Sequence, residues 1–169
     1  MAEDTTVTPV WGYELEDWIE IDLTDDSKKW VKATELLSWD EESENTEYTP
    51  SWLDRMNQPT FIMGQSSKIN FEKDTVRDGD LDDWAFRHRN DTDVPCRVAR
   101  VFTWKGTLDA QTADCGSYLF TPNRFGKSNV GQPVVAGGVL NRSSDGVTEG
   151  TWSQTAKEFT AGTEGGTEG

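Results

Sequence analysis

The chain has 169 residues, 34% of them hydrophobic, with 8 Trp, 7 Phe and a formal net charge of −15. That length suits one domain with a short appendage, and no apolar run reaches the roughly 18 residues of a membrane-spanning helix. The charge argues against a reader of bare nucleic acid, because phosphate binding depends on Lys and Arg displacing counterions. The acids are concentrated at the front: residues 1–50 hold 15 acidic and 3 basic side chains, residues 51–169 hold 16 and 13. A mean hydropathy of −0.72 leaves little apolar material for a core. Much of that material is aromatic. Either tryptophans fill a β core, or some are buried against neighbouring subunits, where aromatics are enriched. The start, MAEDTTVTP, is acidic without an apolar stretch, so no secretory signal is expected. Cys96 and Cys115 read as buried thiols of a reducing compartment.

In chain order, residues 1–17 read as a polar N-terminal arm with Trp11 and Tyr13 as its anchors. Ile19, Ile21 and Leu23 alternate with Glu20 and Asp22, which predicts a strand over 18–23. TDDSKK at 24–29 is a turn cluster. Residues 30–39 predict a strand pairing back as a hairpin, or a helical turn at 33–37. Residues 40–59 have no period and predict a long loop, acidic first (DEESENTE), then bearing Tyr48, Trp52, Leu53 and Met56. Loops of that length in compact domains are usually functional or disordered, and disordered segments are poor in aromatics. This one reads as a docking segment or as a loop folded onto its own domain.

Residues 60–72 predict a long strand with Phe61, Met63, Ile69 and Phe71 on one face. A helix follows over 80–90, with Asp80 as N-cap, Asp82 and Asp83 in its first turn, and Arg87 and Arg89 in its last. Leu81, Trp84, Ala85 and His88 form its apolar stripe. The strongest strand pattern is 94–105, where Val94, Cys96, Val98, Phe102 and Trp104 share a face breached by Arg100. Residues 106–115 read as a loop or hairpin end. Tyr118, Phe120 and Phe125 mark a further strand broken by Pro122 and Gly126; 132–141 is apolar with a bulge or bend at Gly137-Gly138. Residues 151–159 predict a last strand, and 161–169 a low-complexity, disordered tail.

Signs of catalysis are few. His88, the single histidine, lies on the helix stripe, where packing explains it. Asp78, Asp80, Asp82 and Asp83 suggest calcium but fail EF-hand spacing, and helix capping accounts for Asp80 and Asp83 without an ion. No P-loop, GxSxG or HExxH motif is present. No cofactor and no enzymatic activity are expected.

Several features recur together. An early strand leads to Trp30-Val31-Lys32-Ala33, and an acidic-to-aromatic loop ends near Trp52-Leu53. A long strand, a short helix and a basic-aromatic strand from Arg97 to Trp104 close on Gly106; Val139-Leu140-Asn141, a turn, Gly150-Thr151 and Phe159-Thr160 finish the pattern. This order resembles the major tail tube proteins of long-tailed (siphovirus-type) bacteriophages over most of the chain, 18–160. The resemblance implies a mainly β chain, a β-sandwich or barrel of the phage tail-tube type with one short flanking α-helix. The arm would be 1–17, the β domain 18–160 with its long loop 40–59 and helix 80–90, and the tail 161–169. It implies a structural virion protein whose hexameric rings stack around a tape-measure protein into a hollow tube between tail initiator and terminator proteins. Genome DNA would pass through without specific binding. The setting would be the virion tail, assembled in the host bacterial cytoplasm, with no membrane partner. Under the resemblance Tyr48, Trp52, Leu53 and Met56 are inter-ring contact candidates. Trp84 and His88 would pack the helix on its own sheet or on an adjacent subunit. Glu20, Asp22 and Glu72 are outward strand acids, lining the lumen or the exterior. An acidic wall would let DNA slide where a basic one would retard it. Alternatives from the same residues are a carbohydrate-binding β-sandwich with exposed tryptophans, a tail terminator, or the tube protein of a contractile secretion system.

Overall fold

A computed structural model describes residues 7–144 and 146–163. The chain is mainly β: among those residues nine strands form one antiparallel sheet, accompanied by one short α-helix. The strand order is β2-β1-β5-β6-β7-β4-β3, with β8 also paired to β6 and β9 to β8. Two compact units divide the chain. The first comprises 1–33, 97–116 and 147–169; the second comprises 34–96 and 117–146.

The first unit opens on a 3-10 turn, Gly12–Glu14, and continues with β1 (Leu15–Asp22) and β2 (Lys28–Lys32). It also holds most of β5 (Val94–Thr107), the start of β6 (Ala110–Pro122), β8 (Thr148–Ser153) and β9 (Glu158–Ala161). β1 is a central strand, paired with β2 from Trp18↔Lys32 to Asp22↔Lys28 and with β5 from Leu15↔Phe102 to Glu20↔Arg97. Its core is a tryptophan cluster. The fully buried Trp152 lies 4.7 Å from Trp18 and meets Trp30 edge-on at 5.5 Å. Ala99, Val101, Ala113 and Cys115 pack against these rings, so small residues sit opposite large ones as close packing requires.

The second unit holds β3 (Leu36–Tyr48), β4 (Phe61–Asp74), α1 (Asp80–Arg87), the end of β6 and β7 (Val135–Arg142). Trp84 of α1 stacks on Phe120 at 4.8 Å, Phe120 on Phe71 at 5.8 Å, and Trp39 flanks Phe71 at 5.2 Å. Ile69, Ala136 and Leu140 complete this core. β7 lies between β6 and β4, and the approach is close at Gly137 and Gly138, with φ of 140° and 157°. A Cβ there would run into the carbonyl oxygens of Phe71 and Thr121, so only glycine suits both φ and space.

Several elements differ from the sequence expectation. The segment 40–59 is a loop only from residue 49 on, because β3 runs unbroken to Tyr48. Its outer half is exposed on both faces, so it shows no apolar alternation. No helical turn forms at 33–37. β1 starts at Leu15, ahead of the expected Trp18, because pairing with β5 and an Asp17–Arg100 ion pair at 3.0 Å extend it. Gly79, not Asp80, is the N-cap of α1, and the helix proper stops at Arg87. On β4, Ile69 and Phe71 are buried but Phe61 and Met63 are exposed. On β5 the buried parity changes at Val98–Ala99, so Val101 is buried while Trp104 is exposed. β6 begins at Ala110, in place of the expected loop, because Leu108 and Asp109 suffice to turn the chain; it ends at Pro122, which leaves Phe125 outside. The Gly137-Gly138 bulge is absent, since the β4–β7 register is continuous from Lys68↔Asn141 to Asp74↔Val135. The expected strand 151–159 is a hairpin of β8 and β9, turned at Lys157 with φ of 53°. In the expected tail, Ala161 ends β9 and Gly162 N donates to Glu149 O at 2.9 Å; residues 164–169 lie outside the described residues, as do residues 1–6 of the arm.

Candidate functional site

The most distinctive surface is the far end of the β3–β4 hairpin. β4 pairs with β7 only from Lys68 onward, whereas β3 and β4 stay paired out to Tyr48↔Phe61. The outer half is therefore a two-stranded ribbon. Such ribbons are marginal on their own, and this one is closed by an internally bonded loop. The Gln58 side chain receives the Trp52 N–H at 2.8 Å and donates to the carbonyls of Trp52 and Arg55, each at 2.8 Å. Thr49 and Thr60 hydroxyls meet at 2.9 Å across the loop base. Trp52 leans on Phe61 at 6.2 Å, with the Arg55 guanidinium 4.8 Å over its ring.

The expected contact residues therefore come together. Tyr48 ends β3, while Trp52, Leu53 and Met56 sit on the loop, and Leu53 and Met56 are fully exposed. Phe61, Ile62 and Met63, which the sequence reading placed in a strand and not at this surface, are exposed beside them. Exposed apolar side chains concentrated at one end of a ribbon point to an interaction site. The missed signal is TEY facing FIM across a proline-bearing loop, two β-favouring ends with nothing above them to bury against.

The ribbon is also where bare acid collects. Glu41 is met by Arg142 at 3.1 Å and Glu42 by Lys68 at 3.1 Å. Asp40, Glu44 and Glu47 have no cation within 4.0 Å among the described residues. The acids singled out from sequence differ. Glu20 accepts from Arg97 Nε at 3.0 Å and Nη2 at 2.6 Å, and its side chain is only 10% exposed. That pairing raises the pKa of Arg97 above its ordinary value. Glu72 is held by Lys127 at 3.0 Å. Asp22 lies half-buried at the end of β1.

Trp84 is buried against Phe120 within its own unit, and His88 caps the helix, edge-on to Trp84 at 5.7 Å with Nδ1 2.8 Å from Asp91. Among the described residues no three His, Cys, Asp or Glu side chains are arranged to hold a metal. Asp82 is occupied by Lys73 at 2.6 Å. Cys96 and Cys115 are free and buried, and burial pushes the Cys115 thiol up to about 11, away from reactive thiolate character. No helix among the described residues is long and apolar enough to cross a membrane. Neither a protein-family model nor a curated protein matches the chain.

Proposed function

We propose that this chain is a structural subunit of a siphovirus-type phage tail tube, a β-sandwich or barrel type protein whose hexameric rings stack into the conduit for genome DNA. One observation carries the reading: the β3–β4 ribbon ends in a bonded loop whose apolar side chains are uncovered in the monomer. Holding Leu53 and Met56 in water on an ordered loop brings a monomer no stability, whereas a preorganised apolar tip lowers the entropy cost of docking on a partner.

In this reading Tyr48, Trp52, Leu53 and Met56 contact the next ring, and the tape-measure protein occupies the lumen during assembly. Initiator and terminator proteins bound the stack. DNA passes without specific binding, helped by acidic surface that offers phosphates no counter-charge. Glu20, Asp22 and Glu72 remain the lumen candidates, with Glu20 and Glu72 there as ion pairs. No cofactor or catalytic group is needed, and the working location is the virion tail after assembly in the bacterial cytoplasm. The test is negative-stain electron microscopy of the concentrated chain over a range of salt. Rings with a central hole, or tubes of stacked rings, are expected. A uniform monomer that shifts in mobility with polysaccharide would replace this reading with a sugar-binding module.

A further inference from the structure

We infer that the β3 edge of the ribbon in one copy docks on a basic-aromatic patch of a second copy. That patch is built from Phe86 and Arg89, at and just beyond the end of α1, and from Arg124 and Phe125 in the β6–β7 connection. The inference rests on the self-assembling reading above and names the surface that receives the ribbon.

The patch follows from helix periodicity. Leu81, Trp84 and Ala85 turn one stripe of α1 to its core, which leaves Phe86 exposed. The Phe86 ring meets Phe125 edge-on at 5.8 Å. The Arg89 guanidinium lies 4.2 Å over the Phe86 ring, and its Nη1 donates to the Phe86 carbonyl at 2.9 Å. This cation is therefore in place before a partner arrives, which lowers the entropy cost of docking. Arg124 is exposed and Phe125 only half-buried. Both hold left-handed backbone, with φ of 59° and 54°, a conformation that bulky side chains rarely adopt. The connection is fixed around them: Asn123 Oδ1 accepts the Phe125 N–H at 3.0 Å, and Lys127 meets Glu72 at 3.0 Å. Backbone strain held in this way collects at binding sites. Neither Arg89 nor Arg124 has a carboxylate within 4.0 Å among the described residues.

The ribbon carries the matching set. β3 ends the strand order, so one of its edges is open. Glu44 and Glu47, opposite Ser66 and Ile62, stand beyond the Lys68 limit of β4–β7 pairing. Both are exposed without a cation within 4.0 Å among the described residues. Tyr48 follows them opposite Phe61, and both of these rings are exposed. Two bare glutamates beside an aromatic pair thus answer two bare arginines beside an aromatic pair. Arginine suits such a contact, since its fork binds a carboxylate through two parallel hydrogen bonds. Phosphate is the weaker match. Polyanion binding grows with the number of cations engaged, and the patch offers two in a chain of net charge −15. Ribbon and patch are different surfaces, so the contact is heterologous and repeats from copy to copy. Where copies otherwise repel, this opposition of charge fixes which surfaces meet.

The test uses the full-length chain as E44K/E47K, as R89E/R124E and as the combination of both, followed by sedimentation velocity and electron microscopy at one fixed salt concentration. Each paired variant should associate roughly tenfold more weakly than wild type, and the combination should recover. Circular dichroism and Tm should stay unchanged, since all of these side chains are exposed. R124E alone, which leaves the Arg89 bond to Phe86 intact, should weaken association in the same direction. E44K/E47K is the decisive arm. It reduces the net negative charge, so non-specific repulsion alone would make it associate better, while loss of the arginine contacts makes it associate worse. Wild-type rings together with paired variants that assemble normally overturn the patch and leave the tube reading standing. Weakening without recovery in the combination overturns the ribbon as occupant. So does wild-type binding of a short labelled DNA duplex that R89E/R124E abolishes while self-association is unaltered. Association that follows reversal and rescue without rings supports the patch and overturns the tube. A wild-type chain that stays monomeric at every concentration overturns both.

Discussion

Lys73 shows how one residue organises its surroundings. It is almost fully buried, with its ammonium 2.6 and 2.7 Å from the Asp82 oxygens and 3.0 Å from the Asp74 carbonyl. All three N–H groups are satisfied, and the pair ties the first turn of α1 to the end of β4. A complete buried pair adds little net stability, but breaking it strands a charge. Lys73→Met should therefore cost about 3–5 kcal/mol, whereas Lys73→Met with Asp82→Leu should be near neutral; urea denaturation of both variants checks this. Glu16 supplies a pH effect. Burial raises its proton affinity, but hydrogen bonds from Lys32, Gln154 and Trp18 outweigh burial and hold it below its ordinary 4.5. A carboxyl depressed in the folded state stabilises it above the unfolded pKa and loses that contribution as pH falls through the folded value. Tm should decline below pH 4.5, and Glu16→Gln should flatten that decline in a melting series carried down to about pH 3. Arg100 looked like a breach in an apolar face; its explanation, Asp17, is 83 residues away in sequence and no local pattern shows it.

At the scale of elements, visibility in sequence tracked one-sided burial. β1 was found because an apolar face meets a core. The helix showed through its acidic start and Arg87 near its end, though the cap itself is Gly79, where a Cβ would collide with the Asp82 carboxylate. β3 stayed hidden because Glu41 to Tyr48 are exposed on both faces, so the segment shares its composition with a loop. The ribbon and its tip were legible only as an acidic-to-aromatic stretch. Gln58, which holds the loop in shape, carried no signal at all: its role depends on two backbone carbonyls and one N–H converging on it. Trp52→Ala should leave the monomer folded, with Tm within a few degrees of wild type, and abolish ring stacking by electron microscopy. An unfolded Trp52→Ala variant would show that the tip belongs to the core.

For the whole molecule, charge sets the conditions of association. Each copy carries −15, and the Debye length is roughly 8 Å at physiological ionic strength, so copies brought into contact repel. Assembly should be faster in high salt or with divalent cations, measured by light scattering; indifference to both would remove charge from the account. The sequence by itself determined the class: alternation and aromatic content required a mainly β chain, and the acid surplus followed from composition. Tertiary structure alone decided which acids are bare and which are paired, that β5 changes its buried face midway, and that Asp114 stands opposite Glu149. The physical reason is the range of the interactions. Periodicity is written in neighbouring residues, whereas ion pairs, cross-strand partners and exposure are set by residues that meet only after the chain has folded.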